Sequence, residues 1–188
     1  MVLREIIRNI YPMPEESVSR LSGCISELHL PKGSMVLEAG KIEPDIFFIN
    51  KGIVRAFIND RGKDVTFWIG KEGDTIVSLM SYVYGRPGYE SVELMEDSIL
   101  YKASREALGK LFMEDIGIAN WGRKFAETEF MRTEQRLIPM LSMTATQRYT
   151  RLLEDNPELL QRLPLECLAS YLGITPVSLS RIRAGIGK

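Results

Sequence analysis

The side chains best suited to chemistry in this chain gather near its end, between Leu163 and Lys188. This segment carries hydroxyl and guanidinium groups at helical spacing, and its only carboxylate is Glu166. Such groups donate hydrogen bonds to the phosphates and base acceptors of a DNA major groove. The candidate DNA contacts are Thr175, Pro176, Val177, Ser178, Ser180, Arg181, Arg183 and Lys188. The segment therefore predicts contact with double-stranded DNA.

Two short helices joined by a tight turn are predicted to position these side chains. The first covers Leu165 to Leu172, and Gly173 can turn the chain with a positive φ. Thr175 is a candidate N-cap, and Pro176 stands at the first position of a second helix that runs to about Ala184. The apolar positions that join the two helices are Leu168, Leu172, Ile174, Leu179 and Ile182. The pattern predicts a helix-turn-helix, and the alternative is a helical hairpin that merely packs.

The charge distribution fits a local contact with nucleic acid. Residues 159–188 have four basic side chains and one acidic side chain, whereas the whole chain has a net charge of −1. A basic module on an acidic body binds DNA locally rather than coating it. Four basic side chains are few, so a dimer, which doubles them, is favoured.

Composition excludes several classes of function. The two cysteines, Cys24 and Cys167, form no CxxC motif, and His29 is the single histidine. We therefore expect no metal site, iron–sulfur cluster or haem. The chain has no P-loop, nucleophile elbow or metal-ligand spacing, so we do not expect an enzyme. It has no signal peptide or long apolar run, which predicts a cytoplasmic protein without a membrane partner.

The body of the chain changes its hydrophobic period twice. Residues 1–27 predict two leading helices, separated by a break at Pro12 to Pro14. From Leu28 to Ser104 the period is two, and short runs of Val, Ile, Phe and Trp alternate with turn residues. Asn59 to Gly62 is predicted to close a hairpin. This pattern favours a compact antiparallel roll or barrel.

A long helix is predicted from about Met113 to Leu141. Residues along it alternate at spacings of four and three, as in the seam of a parallel helix pair. This candidate dimer seam comprises Ala119, Arg123, Ala126, Phe130, Thr133, Leu137 and Met140. The alternative is a helix that lies along the roll, where Trp121 and Phe125 are expected to pack. Pro139 is expected to kink or end the helix, which makes residues 139–143 a hinge.

This order of roll, long helix, hinge and helix-turn-helix resembles the Crp/Fnr family of bacterial transcription regulators. The resemblance is carried by Phe47 to Arg55, by Glu72-Gly73-Asp74 and by the C-terminal motif. It implies an α+β fold with a cyclic-nucleotide-binding-like β-roll at 1–112, a dimerisation helix at 113–141 and an all-α helix-turn-helix domain at 142–188. Many relatives have a β-hairpin wing after the motif, and here we expect none.

The resemblance also implies a function, namely sequence-specific, effector-responsive regulation of transcription. Such proteins are usually homodimers that bind two DNA half-sites, and RNA polymerase is a further expected partner. The alternative is a sensor or protein-interaction module with a degenerate helix-turn-helix that does not bind DNA. The effector, the operator and the sign of regulation do not follow from the sequence.

Two departures from the family concern ligand and DNA recognition. The family's Gly-Glu and Arg-Ser pairs, which hold a cyclic nucleotide, fall at Val77-Ser78 and Gly88-Tyr89. We therefore expect no cyclic nucleotide, and either an unknown small-molecule effector or a pocket filled by its own side chains. Candidate pocket residues are Val77, Ser78, Leu79, Met80, Arg86, Gly88 and Tyr89. In the motif, the family's DNA-reading arginine and glutamate fall at Pro176 and Val177, and the following arginine is kept as Arg181.

Overall fold

Two antiparallel sheets form the body of the protein in the computed structural model, which describes residues 3–186. The strands are β1 (Ile25–Leu30), β2 (Met35–Leu37), β3 (Ile46–Lys51), β4 (Val54–Asp60), β5 (Lys63–Gly70), β6 (Thr75–Ile76), β7 (Ser91–Leu94) and β8 (Ser98–Ala103). One sheet has the order β1-β8-β3-β6 and the other the order β2-β7-β4-β5. The described strand pairs are all antiparallel, so the predicted roll is confirmed.

A hairpin joins β4 and β5, as the sequence predicts for Asn59 to Gly62, and its turn has two residues. Asp60 pairs with Lys63, and both intervening residues have positive φ, 51° at Arg61 and 85° at Gly62. Two successive positive φ values are the signature of a type I′ turn, whose twist matches that of the strands. The side chain of Asn59 accepts a hydrogen bond of 3.0 Å from the Gly62 N–H, which fixes the turn.

Inward-facing apolar side chains of both sheets fill the roll. The buried members of this core are Val36, Leu37, Phe47, Ile49, Val54, Ala56, Ile76, Val92, Leu94 and Leu100. They come from strands with a period of two, so alternate residues of each strand meet across the roll. The roll is therefore a packed scaffold that holds its edges and turns in fixed positions.

Helices cover the ends of the roll and form the C-terminal part of the chain. They are α1 (Leu3–Ile10), α2 (Glu15–Gly23), α3 (Leu79–Tyr84), α4 (Arg105–Glu114), α5 (Ile116–Ser142), α6 (Ala145–Asp155), α7 (Leu159–Arg162), α8 (Leu165–Tyr171) and α9 (Pro176–Ile186). Among residues 3–186, none of these helices is both long and apolar enough to cross a membrane.

The first half of α5 packs on the roll through aromatic side chains, as expected for Trp121 and Phe125. Trp121 is buried, stacks on Phe125 at a centroid distance of 5.8 Å and lies 6.1 Å from Phe48 of β3. Its indole N–H donates a hydrogen bond of 2.9 Å to the backbone carbonyl of Ile7 in α1. This contact fastens both α1 and α5 to one end of the roll.

The second half of α5 does not end at Pro139. The helix continues to Ser142, and the next residue, Met143, connects it to α6. Proline removes one backbone hydrogen bond, to the carbonyl of Gln135 four residues earlier. Gln135 is exposed, so water can satisfy that carbonyl and the helix tolerates the proline.

A separate apolar core joins the C-terminal helices to the roll. Its helical members include Tyr149, Leu168 and Leu179, all buried. Ile53, beside the start of β4, and Ile69 of β5 belong to the same core. The C-terminal helices therefore share part of their core with the roll and are packed against it.

Candidate nucleic-acid interface and sensory site

The α8 and α9 pair has the geometry predicted for a helix-turn-helix. Gly173 turns the chain with φ of 68°, and the Ile174 N–H donates to the carbonyl of Ala169 at 2.9 Å. Thr175 caps α9, because its hydroxyl accepts a hydrogen bond of 3.1 Å from the Ser178 N–H. Ala169 is fully buried, which allows the two helices to approach closely. The turn therefore fixes α9 relative to α8.

Arg148 of α6 holds the end of α8 in place. Its Nε and one Nη donate to the carbonyl of Leu172 at 3.2 and 2.8 Å, and the other Nη donates to the carbonyl of Met143 at 2.6 Å. These bonds satisfy carbonyl groups that a helix end leaves without partners. One side chain thus connects the α5–α6 junction with the helix-turn-helix.

The outward face of α9 is exposed to solvent. Thr175, Pro176, Val177, Ser180 and Arg181 are exposed, and Val177 is 61% accessible to solvent. The opposite face is buried through Leu179, as the helical spacing predicts. Because the hydroxyls, the arginine and the apolar side chain of this face are already exposed, α9 would not have to unfold to enter a DNA groove.

Arg183 differs from Arg181 in its surroundings. Its guanidinium lies 5.9 Å from the ring centroid of Tyr149, and its Nε is buried without a hydrogen-bond partner among the described residues. The packing places Arg183 at the flank of the helix-turn-helix and not at the centre of its exposed face. Lys188, the other expected phosphate contact, lies outside the described residues.

The outward face of α5 carries the candidate dimer seam. Arg123, Ala126, Phe130, Thr133 and Leu137 are exposed, whereas Ala119 is half-buried. Phe130 alone exposes 76% of its surface. The inward face is tied to the roll, where Arg132 lies 3.4 Å from Asp74. The seam residues therefore share a surface that the chain itself leaves uncovered.

The predicted effector-site residues differ in their exposure to solvent. Ser78 and Gly88 are buried, Val77 and Met80 are half-buried, and the other three predicted residues are exposed: Leu79, Arg86 and Tyr89. The Ser78 hydroxyl has no hydrogen-bond partner among the described residues. A Cβ at Gly88 would stand 2.6 Å from that oxygen, so a larger residue here would force the Ser78 side chain to shift.

Glu90 is a feature of this region that the sequence analysis missed. The residue is 6% exposed, and its carboxylate accepts a hydrogen bond of 3.1 Å from the Tyr89 N–H. None of the ion pairs described within residues 3–186 includes Glu90. Partial burial, and then the charge of Glu90, raise the pKa of the Tyr89 hydroxyl. The Glu90 carboxyl group therefore lies close to Gly88, one of the predicted effector-site residues.

A charged contact between the roll and the C-terminal helices was also missed. Arg162 of α7 donates to Glu72 at 2.7 and 3.2 Å and to Glu96 at 2.5 and 3.3 Å. Partial burial would raise the pKa of Glu72, but hydrogen bonds from Arg162 and the Gly52 N–H outweigh it and lower the pKa to about 2. Hydrogen bonds from Glu72, and then from Glu96, raise the pKa of Arg162.

Known proteins share this architecture. Residues 27–115 match the family model of the cyclic nucleotide-binding domain. The structure is similar to FixK2 from Bradyrhizobium japonicum, with a TM-score of 0.71, 20% identity and coverage of 87% of this chain and 84% of that chain. It is also similar to CLP, a c-di-GMP-responsive global regulator from Xanthomonas campestris, with a TM-score of 0.69, 13% identity and coverage of 93% and 92%.

The roll alone matches more distant proteins. The regulatory domain of Toxoplasma gondii PKA, solved with cAMP, has a TM-score of 0.53 and 14% identity. That match covers 58% of this chain and 42% of the other, so this chain spans less than half of that protein's length. No curated protein matches the sequence. The likenesses establish the fold, which is a cyclic-nucleotide-binding-like roll followed by helices.

Proposed function

We propose that this protein is a Crp/Fnr-type transcription regulator that binds DNA as a homodimer. The observation that carries the proposal is the exposed face of α9, which presents Val177, Ser180 and Arg181 while Leu179 anchors the helix to α8. The similar structure CLP is described as linking cell–cell signalling to virulence gene expression. A role of this kind needs no catalysis, and we place it in the bacterial cytoplasm with DNA and RNA polymerase as partners.

Arg181 is the side chain that we expect to read the DNA sequence. It lies at the middle of the exposed face, and a guanidinium can take the O6 and N7 atoms of guanine in a bidentate pair. Such a pair contributes about 1–3 kcal/mol of discrimination against a wrong base. We expect Val177, which is exposed, to contact a thymine methyl group. Arg183 and Lys188 are expected to contact phosphates, which position the protein without reading sequence.

Two hydroxyl groups of this face make hydrogen bonds inside α9. Ser180 Oγ donates to the carbonyl of Pro176 at 3.0 Å, and the hydroxyls of Thr175 and Ser178 lie 2.9 Å apart. Each hydroxyl still has capacity for a further hydrogen bond, because it combines one donor with two acceptor lone pairs. We therefore expect Ser178, Ser180 and Thr175 to assist recognition and Arg181 to dominate it.

Selection of duplexes from a random pool tests this assignment. The wild-type protein should enrich one motif, and Arg181→Ala should lose about 1–3 kcal/mol of preference at one position of each half-site. Arg151→Ala is the matched control, because Arg151 pairs with Asp155 on the outside of α6. An Arg181→Ala protein that enriches the same motif with the same affinity would contradict the assignment.

The homodimer is proposed to form along the outward face of α5. Exposed large apolar side chains continue along this helix beyond Phe130, at Met131, Leu137, Ile138, Met140 and Leu141. Several exposed large apolar side chains on one helix are typical of a surface that another chain covers. A dimer formed through this seam contains two copies of α9, one for each DNA half-site.

We propose that the roll does not respond to cyclic AMP or cyclic GMP. Each brings a phosphate charge, which the family pairs with an arginine at the position of Gly88. Here Glu90 is buried beside that position, so the phosphate would meet a carboxylate in a desolvated site. Arg86 is exposed, and its carbonyl is held by the Ser81 hydroxyl at 3.0 Å. An effector without a phosphate group fits this environment better.

A further inference from the structure

Contacts between the roll and the helix-turn-helix lie at both ends of α8. Before its start, Arg162 is gripped by Glu72 and Glu96 of the roll, at 2.5–3.3 Å. Near its end, the Ser170 hydroxyl accepts from the Thr66 N–H at 2.9 Å and donates to the Asp64 carbonyl at 3.3 Å. We call Arg162, Glu72, Glu96 and Ser170 the interdomain clasp.

The roll side of the clasp is itself held rigidly. Glu72 accepts a hydrogen bond of 2.9 Å from the N–H of Gly52, whose φ is 121°. A Cβ at Gly52 would stand 2.1 Å from the Ser98 hydroxyl, so the backbone is closely packed there. The Ser98 hydroxyl donates in turn to the carbonyl of Glu96 at 2.7 Å. These contacts hold the Glu72 carboxylate and the Glu96 backbone, and paired guanidinium–carboxylate bonds connect both residues to Arg162.

Two contacts at separate points along α8 fix its direction relative to the roll, whereas a single contact would let the helix rotate about that point. Arg162 and Ser170 bracket α8, and Ile53 and Ile69 pack beneath the same module. The clasp leaves Arg181 and the rest of the exposed α9 face uncovered. The contacts therefore orient the DNA-reading helix and do not block it.

We propose that the interdomain clasp sets the spacing of half-sites that the dimer accepts. The inference rests on the proposed function, because it concerns how a DNA-binding dimer places its two recognition helices. Half-sites lie one helical turn apart, about 34–36 Å from centre to centre. Binding of one recognition helix to its half-site strengthens binding of the other only if the second helix already faces the major groove of its own half-site. With the interdomain clasp intact, the two helix-turn-helix units satisfy this condition at one half-site spacing. Without the clasp, they can satisfy it at several spacings, but less well at each.

Hydrogen exchange of wild-type protein and Arg162→Gln tests the clasp without DNA. Because the Thr66 N–H donates to Ser170, its exchange reports docking of α8 on β5. Arg162→Gln should speed exchange at Thr66, with an unchanged exchange pattern in β3 and β8. Arg151→Gln, which removes an arginine whose ion pair lies within α6, should leave Thr66 unchanged. Unchanged exchange at Thr66 in Arg162→Gln would overturn the clasp.

Binding to duplexes of altered spacing then tests its role. Using the motif selected by the wild type, half-sites are moved apart or together by one and two base pairs. The wild type should prefer the selected spacing by about tenfold or more, and Arg162→Gln and Ser170→Ala should each reduce that preference to about threefold or less. Binding to a single half-site should change less than about twofold in all three proteins. Equal spacing preference in wild type and both variants would overturn the proposal.

The outcomes separate the clasp from the proposed function. If the wild type binds no duplex, the DNA-binding function fails, and the clasp's role in spacing fails with it even where Thr66 exchange shows docking. If the wild type binds two half-sites and the variants keep its spacing preference, DNA binding stands and the clasp is refuted. A variant that simply unfolds shows faster exchange throughout α8 and α9. In that case Arg162→Lys, which keeps the charge but loses the planar guanidinium, is used instead of Arg162→Gln.

Discussion

Neutralising Glu72 should weaken folding at neutral pH, and the effect should fade in acid. Its carboxyl pKa is lowered from 4.5 to about 2 in the folded protein. Each pKa unit corresponds to about 1.4 kcal/mol, so the full shift sets an upper bound of about 3 kcal/mol. Glu72 is 34% exposed, and solvent screening reduces the expected contribution to about 1–2 kcal/mol.

The sign of the pH dependence follows from a lowered pKa. The contribution of Glu72 is fully present above its unfolded value near 4.5 and is lost as the pH falls toward about 2. Glu72→Gln keeps an acceptor for the Gly52 N–H and removes the charge opposite Arg162. The free energy of unfolding should therefore be about 1–2 kcal/mol lower in the variant at pH 7, and about half of that difference or less should remain at pH 3.

Urea denaturation followed by circular dichroism, at pH values from 7 to 3, measures this difference. Glu154→Gln is the matched control, since Glu154 is an exposed carboxylate on α6, and it should stay within about 0.5 kcal/mol of wild type. The reasoning fails if Glu72→Gln matches wild type at pH 7. It also fails if the difference is as large at pH 3 as at pH 7.

Three further predictions concern the dimer, the roll and the core. Phe130→Glu should convert a dimer to a monomer in light scattering, whereas Phe67→Glu, at an exposed phenylalanine of β5, should remain dimeric. Isothermal titration with cyclic AMP, cyclic GMP and cyclic di-GMP should give no micromolar binding, and a micromolar affinity abolished by Arg86→Ala would contradict the account. Trp121→Phe should lower the free energy of unfolding by about 2–3 kcal/mol, because it removes buried surface and the indole hydrogen bond to the Ile7 carbonyl, which keeps only the 3.4 Å hydrogen bond from the Tyr11 N–H.

Local sequence signals predicted the parts of the fold that depend on neighbouring residues. Gly173 and Thr175 fixed the turn and the cap of the helix-turn-helix, since both act within a few residues. The hairpin at Asn59 to Gly62 followed from the position of these turn residues between two period-two runs. Of the two outcomes predicted for Pro139, a kink or a helix end, the structure contradicts the second, because α5 continues to Ser142.

Contacts between distant parts of the chain were beyond the same reasoning. Arg162 appeared only in a charge count, because nothing local indicates that Glu72, 90 residues away, will face it. Ile53 lies within the period-two part of the sequence, yet it packs into the C-terminal core. The burial of Glu90 is likewise set by the packing of the whole roll. Periodicity identifies elements and their buried faces, whereas pairing across domains depends on their arrangement in space.

Binding of the wild-type protein to its selected duplex across a range of salt concentrations tests the central claim most directly. If the exposed face of α9 and its flanking arginines contact DNA, log K should fall linearly with log salt, with a slope of about −0.9 for each phosphate contacted. A dimer on two half-sites should give a slope about twice that of a single half-site. Affinity that does not change with salt, or binding to no duplex at low salt, would contradict the account and favour a module that contacts protein instead.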